Sequence, residues 1–220
     1  MEQLARDTRK REYADWEGLI HGHPLARCSD DENSPYFIQF DLRTNINGEM
    51  QRIIGWAHHD LINVVKNGPK HLFIDCTFKS VPKSFFQCLI IVVHDPNTEV
   101  YTPVFYVLLQ KKSQAVYEQA LTLCMNSCDN KLIPISVTTD FEQALMNAIQ
   151  EQFPKIPVIG CEFHWKQAIK RKLEKLGIPQ DMIHKLICSS GPLQILTMIE
   201  ICEIEQKGIP YVGRLIHKTI

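Results

Sequence analysis

Two apolar runs joined by a short turn constrain this chain more than any other feature: Phe85 to His94 and Val100 to Leu109, linked through Asp95-Pro96-Asn97-Thr98. Runs dense in Ile, Val and aromatic residues read as strands, and Asp, Pro and Asn supply turn conformations, so the two are predicted to pair antiparallel. Ahead of them Leu72-Phe73-Ile74 forms another strand, ending at Asp75. After them helices and strands alternate. Ser113 opens a helix with Val116, Ala120 and Leu123 at helical spacing, which closes near Cys128-Asp129-Asn130, and Ile133 to Thr138 is a strand. Phe141, Ala144, Leu145, Ala148 and Ile149 fall on one helical face before Pro154, and Val158-Ile159 is a short strand. Phe163 to Leu176 is a helix ended by Gly177. Three consecutive strands followed by alternation predict an α/β fold: a mixed sheet with helices on both faces.

The flanks are less patterned. Residues 1–34 mix charge with turn formers and read as a polar tail or linker. Tyr36 to Leu42 alternates like a strand, Ile53 to Val65 reads as a helix stopped by Asn67-Gly68-Pro69, and 177–220 reads as mostly helical. The core domain is therefore expected over 35–176. The longest apolar run of this region, Cys88 to Val93, falls far short of the ~20 residues that span a bilayer, so no membrane partner is expected. Met1 to Tyr13 is charged throughout and lacks a secretory apolar stretch. The eight cysteines read as reduced thiols packed as small hydrophobes. A net charge of -1 gives no whole-chain nucleic-acid signal, so any such partner must be recognised by local patches.

Two acids follow strand-like runs. Asp75 stands where an ionised carboxylate is costly to bury without a partner, although a strand-end aspartate in a turn is an equal reading. Asp140 precedes an amphipathic helix and, with Gln143 three residues on, also fits a helix cap. If their strands are neighbours, the two carboxylates share one edge of the sheet and can hold magnesium, which prefers oxygen ligands. Cys161 and His164 form a Cys-x2-His pair that could ligate zinc if His184 and Cys188 completed the set; otherwise Cys161 packs and His164 hydrogen-bonds. Lys166, Lys170, Arg171, Lys172 and Lys175 outnumber Glu162 and Glu174 and give their helix a net charge of +3. That face attracts a phosphate backbone or is simply solvated, and Lys79 and Lys83 would extend a DNA track beyond Asp75.

Three motifs in order resemble the MULE (Mutator-like element) transposase domain. His71-Leu72-Phe73-Ile74-Asp75-Cys76-Thr77-Phe78 with Pro82 resembles its first-acid motif, Thr138-Thr139-Asp140-Phe141-Glu142-Gln143-Ala144 its second, and Gly160-Cys161-Glu162-Phe163-His164-Trp165 the Cys-x2-His segment that follows. The resemblance covers about 36–176. It implies a ribonuclease H-like core of the DDE superfamily and a nuclear protein that oligomerises. It also implies that Asp75 and Asp140 hold Mg2+ or Mn2+ for cleavage at transposon ends and strand transfer into target DNA. Cys76 stands where the family often has Gly. The family's third acid, a Glu in a motif resembling Asn-Asn-x-x-Glu, does not occur before Ile220, and Glu200, Glu203 and Glu205 fall too early for that role. The chain is therefore expected to stop within a helical insertion, and the alternative is a catalytically inactive remnant that binds DNA or protein.

Overall fold

The computed structural model describes residues 27–29, 31, 33–78 and 81–219. Most of the expected N-terminal tail, and Lys79 of the expected DNA track, lie outside the described residues.

Strand β1 (Ile38–Ile46) turns through Asn47-Gly48 into β2 (Glu49–Trp56), both turn residues having positive φ, 53° and 85°. Asn and Gly tolerate that conformation, and it matches the twist of a two-residue hairpin. The Gly48 N–H closes the turn on Asn45 Oδ1 at 2.9 Å. This hairpin corrects the expected helix over 53–65: its first part is β2, and only His59–Lys66 is helical (α1). Ile53 and Ile54 are both fully buried, in separate apolar clusters on opposite faces of the strand. A strand buried on both sides is a continuous apolar run, which periodicity cannot tell from a helix.

Then follow β3 (Lys70–Thr77), β4 (Gln87–Asp95), β5 (Val100–Leu109), α2 (Gln114–Ser127), β6 (Pro134–Thr139), α3 (Gln143–Gln152) and β7 (Val158–Gly160). They complete a seven-stranded mixed sheet in the order β1-β2-β5-β4-β3-β6-β7. β4 and β5 pair antiparallel, as predicted, whereas β6 pairs parallel with β3 and β7 parallel with β6.

Alternating residues of the strands, among them Leu72, Ile74, Leu89, Ile91, Val107 and Val137, share one cluster with Ile62 and Val65 of α1, Tyr117 and Leu121 of α2, and Leu145 and Ile149 of α3. The helices of this unit therefore gather on one face. The other face has a smaller cluster around Ile54, Phe85 and Leu108. One charge is buried at the sheet's end: Lys70, 3% exposed, holds Asp95 Oδ2 at 2.9 Å and the Asn67 carbonyl at 3.0 Å. All eight cysteines are free, and burial in the core raises the Cys124 thiol well above its usual range and Cys128 to about 11.

The chain divides into two compact units, Met1–Gly160 and Cys161–Ile220, and the helix after β7 opens the second. That helix, α4 (Glu162–Lys175), ends in a Schellman motif: Gly177, φ 74°, donates to the Glu174 carbonyl and Ile178 to that of Leu173. α5 (Gln180–Ile187), a 3-10 turn at Pro192–Thr197, the short helix Ile201–Glu203 running into a π-helical turn, and α6 (Ile209–Thr219) complete this unit. No single helix among the described residues is long and apolar enough to cross a membrane.

Candidate metal-binding rim

The first acid and the second leave adjacent parallel strands at one level. Ile74 of β3 pairs with Thr139 of β6, so Asp75 and Asp140 are the next residues along each strand. Neighbouring strands lie about 4.8 Å apart, which brings the two backbones together at a common rim of the sheet. Because strand side chains alternate, Asp75 leaves the sheet on the side opposite Ile74 and the helix-covered core, and it is exposed while Ile74 is 1% exposed.

Each carboxylate is oriented by the backbone beside it. Asp75 Oδ1 accepts from the Cys76 N–H at 2.8 Å, and Asp140 Oδ1 accepts from the Glu142 N–H at 3.0 Å. The cap expected of Asp140 is thereby displaced: Glu142 is the N-cap residue of α3 by its backbone, and Asp140 closes a local turn two residues earlier. Phe141, left outside the helix, lies over Gly160 of β7, where a Cβ would meet its ring at 2.7 Å. The glycine therefore lets the ring settle against the strand beside the acids.

Cys76 lies between the acids in electrostatic terms. Burial pushes its thiol up to about 12, partly opposed by a hydrogen bond with Tyr117, and the charges of Asp140 and Asp75 push it further the same way. It thus stays neutral and adds no third negative charge to the rim. Below it Tyr117, fully buried, accepts from Gln87 Nε2 at 2.9 Å, which satisfies a polar group inside the core. Glu142 is half-buried and ion-paired with Lys112, whose ammonium lies 5.8 Å from the Phe78 ring centroid. Sequence reasoning passed over Lys112; its signal was a cation directly before the Ser113 helix start, just after β5, which β4 separates from the acid-bearing β3.

The remaining predicted residues belong to separate places. Lys83 is exposed in the loop before β4. On α4, Lys166 pairs with Glu162 at 2.6 Å, Lys170 comes within 4.0 Å of Glu174, Arg171 Nε donates to the Gln167 carbonyl, and Lys172 is exposed. Cys161 is the N-cap residue of α4, with His164 in its first turn. Among the described residues, the Cys and His side chains that come together as a group of three are Cys28, His58 and His59.

This mixed α/β unit carries two acids at one level of neighbouring parallel strands, oxygen donors of the kind a hard divalent cation takes. Residues 71–168 match the MULE transposase domain, a span that runs from β3 into α4 and includes Asp75, Asp140, Cys161 and His164. The matched span is just under half of the chain and suggests a transposase-derived function; the family implies a divalent metal in general and DNA as partner. Neither the curated proteins nor the solved structures include a match to it.

Proposed function

We propose that this protein acts on DNA as a Mutator-like transposase, by metal-dependent phosphodiester cleavage and strand transfer, with Asp75 and Asp140 as catalytic acids. The observation that carries the reading is the register of β3 and β6, Ile74 opposite Thr139, with an acid next in each strand. The strand order β5-β4-β3-β6-β7 supports a ribonuclease H-like core, three antiparallel strands extended by two parallel ones.

Bound there, Mg2+ or Mn2+ would supply charge neutralisation at the scissile phosphate and a more acidic water. The chain's own part is to carry two carboxylates at one level of neighbouring strands, each fixed by a backbone N–H, and to keep the Cys76 position uncharged. Lys83, Lys172 and Arg171 would attract the phosphate backbone, with salt-sensitive affinity. A nuclear location and self-association follow from this reading as part of the proposal.

A second reading, a catalytically inactive module that binds DNA or protein, is favoured by one observation: the acid nearest to Asp140 in sequence, Glu142, is already engaged by Lys112. Nicking of supercoiled plasmid in Mg2+ or Mn2+ separates the two. Wild type is expected to nick, and Asp75→Asn and Asp140→Asn to lose nicking while keeping binding; binding without nicking by wild type favours the second reading.

A further inference from the structure

We propose that Cys28, His58 and His59 bind a zinc ion that ties the segment before β1 to the start of α1. Their ligand atoms all lie within 4.8 Å of one another, and all three residues are half-buried. The second observation is His59 itself. Its Nδ1 is buried with no hydrogen-bond partner among the described residues, while its Nε2 faces Asp60 Oδ1 at 2.9 Å. An imidazole that donates one N–H to a carboxylate holds a lone pair on its other nitrogen, and a carboxylate behind the ring is the usual support of a metal-binding histidine.

The same aspartate backs His58, whose Nδ1 lies 3.6 Å from Asp60 Oδ2. Without metal that nitrogen accepts from the Asp60 N–H at 3.2 Å and caps α1. Coordination through His58 Nε2 moves the ring proton to Nδ1, where the Asp60 carboxylate receives it and the cap bond is given up. The Cys28 thiol binds as thiolate and releases its proton to solvent. Cys28 is held in place by its own loop: its N–H donates to the Pro35 carbonyl at 2.9 Å, and Arg27 donates to the Ser34 carbonyl at 2.6 Å and lies over the Tyr36 ring. One thiolate and two imidazoles suit zinc and disfavour magnesium, and water fills the fourth tetrahedral position. The ion closes a loop that contains the whole β1–β2 hairpin. This site is independent of the acid rim and of the activity proposed for it.

Cobalt(II) titration of the reduced, metal-stripped full chain tests the proposal. The expected result is a single ion per chain, with a thiolate-to-cobalt charge-transfer band and tetrahedral d–d bands, displaced by zinc, and a higher melting temperature in zinc. Cys28→Ser should abolish the charge-transfer band, with its fold verified by circular dichroism, and Cys161→Ser should leave it intact. Asp60→Asn should keep the spectrum and weaken affinity about 10- to 100-fold. If Cys28→Ser fails to fold, His59→Gln decides, by loss of the d–d bands. Absence of the charge-transfer band in wild type, or a band that survives Cys28→Ser and is lost in Cys161→Ser, overturns the proposal.

Discussion

The sheet unit and the C-terminal helices differ in how firmly they hold the residues they present. In the first, strands, α1, α2 and α3 share a cluster of fully buried side chains, and both acids leave from its rim. In the second, α4 has no buried residue, and the buried apolar residues are Ile183, Leu186 and Val212. The acids therefore stand on a scaffold whose rotamers are fixed by close packing, whereas the cations of α4 project from a helix set by local bonds and ion pairs. Precision belongs to the first and adaptable charge to the second, the division that the proposed function would use.

Core truncation should expose this contrast most strongly. Leu72→Ala, next to Phe73 in β3 and 1% exposed, should cost about 2–5 kcal/mol, while Leu173→Ala on α4 should cost about 1 kcal/mol or less, both read from urea unfolding. Equal losses would erase the distinction.

The edge hairpin offers the next test. A Cβ on Gly55 would lie 2.1 Å from the Phe40 ring, which covers that glycine across the β1–β2 pair. Gly55→Ala should therefore destabilise by about 1–3 kcal/mol, and Phe40→Leu in the same chain should recover part of the loss.

A smaller effect is expected from acid. Lys70 holds the Asp95 carboxyl below its unfolded value of 3.8, helped by the Asn97 N–H. The stabilisation is complete above that value and is lost as pH falls through the lower folded one. The urea midpoint should fall over that window in wild type and much less in Asp95→Asn. On α4 the Glu162 carboxyl is likewise lowered, by Lys166 first, yet the pair is exposed enough that Lys166→Ala should leave the melting temperature unchanged within error.

Sequence reasoning recovered the elements whose signals are local. β5 was bounded as Val100–Leu109, and the β4–β5 hairpin and the Gly177 stop were read from turn chemistry. It lost β2 because Ile53-Ile54-Gly55-Trp56 runs without a polar break toward His58-His59 and α1, so strand and helix merged into one apolar stretch. It misplaced the cap of α3 because an aspartate before a helix looks alike whether it caps or closes the turn before the cap. The pairing of Asp75 with Asp140 was legible only as a condition, since parallel register depends on long-range packing. The convergence of Cys28 with His58 and His59 had no spacing signature, because a hairpin intervenes.

The central claim is that Asp75 and Asp140 grip one cation together, and Mn2+ binding followed by electron paramagnetic resonance tests it most directly, since Mn2+ favours oxygen donors over the thiolate and imidazoles near α1. Asp75→Asn and Asp140→Asn should each retain the local N–H bond and stability, each weaken Mn2+ binding by about tenfold or more, and together cost far less than the sum of their separate losses. Full Mn2+ affinity in either single variant, or losses that simply add, would contradict the account.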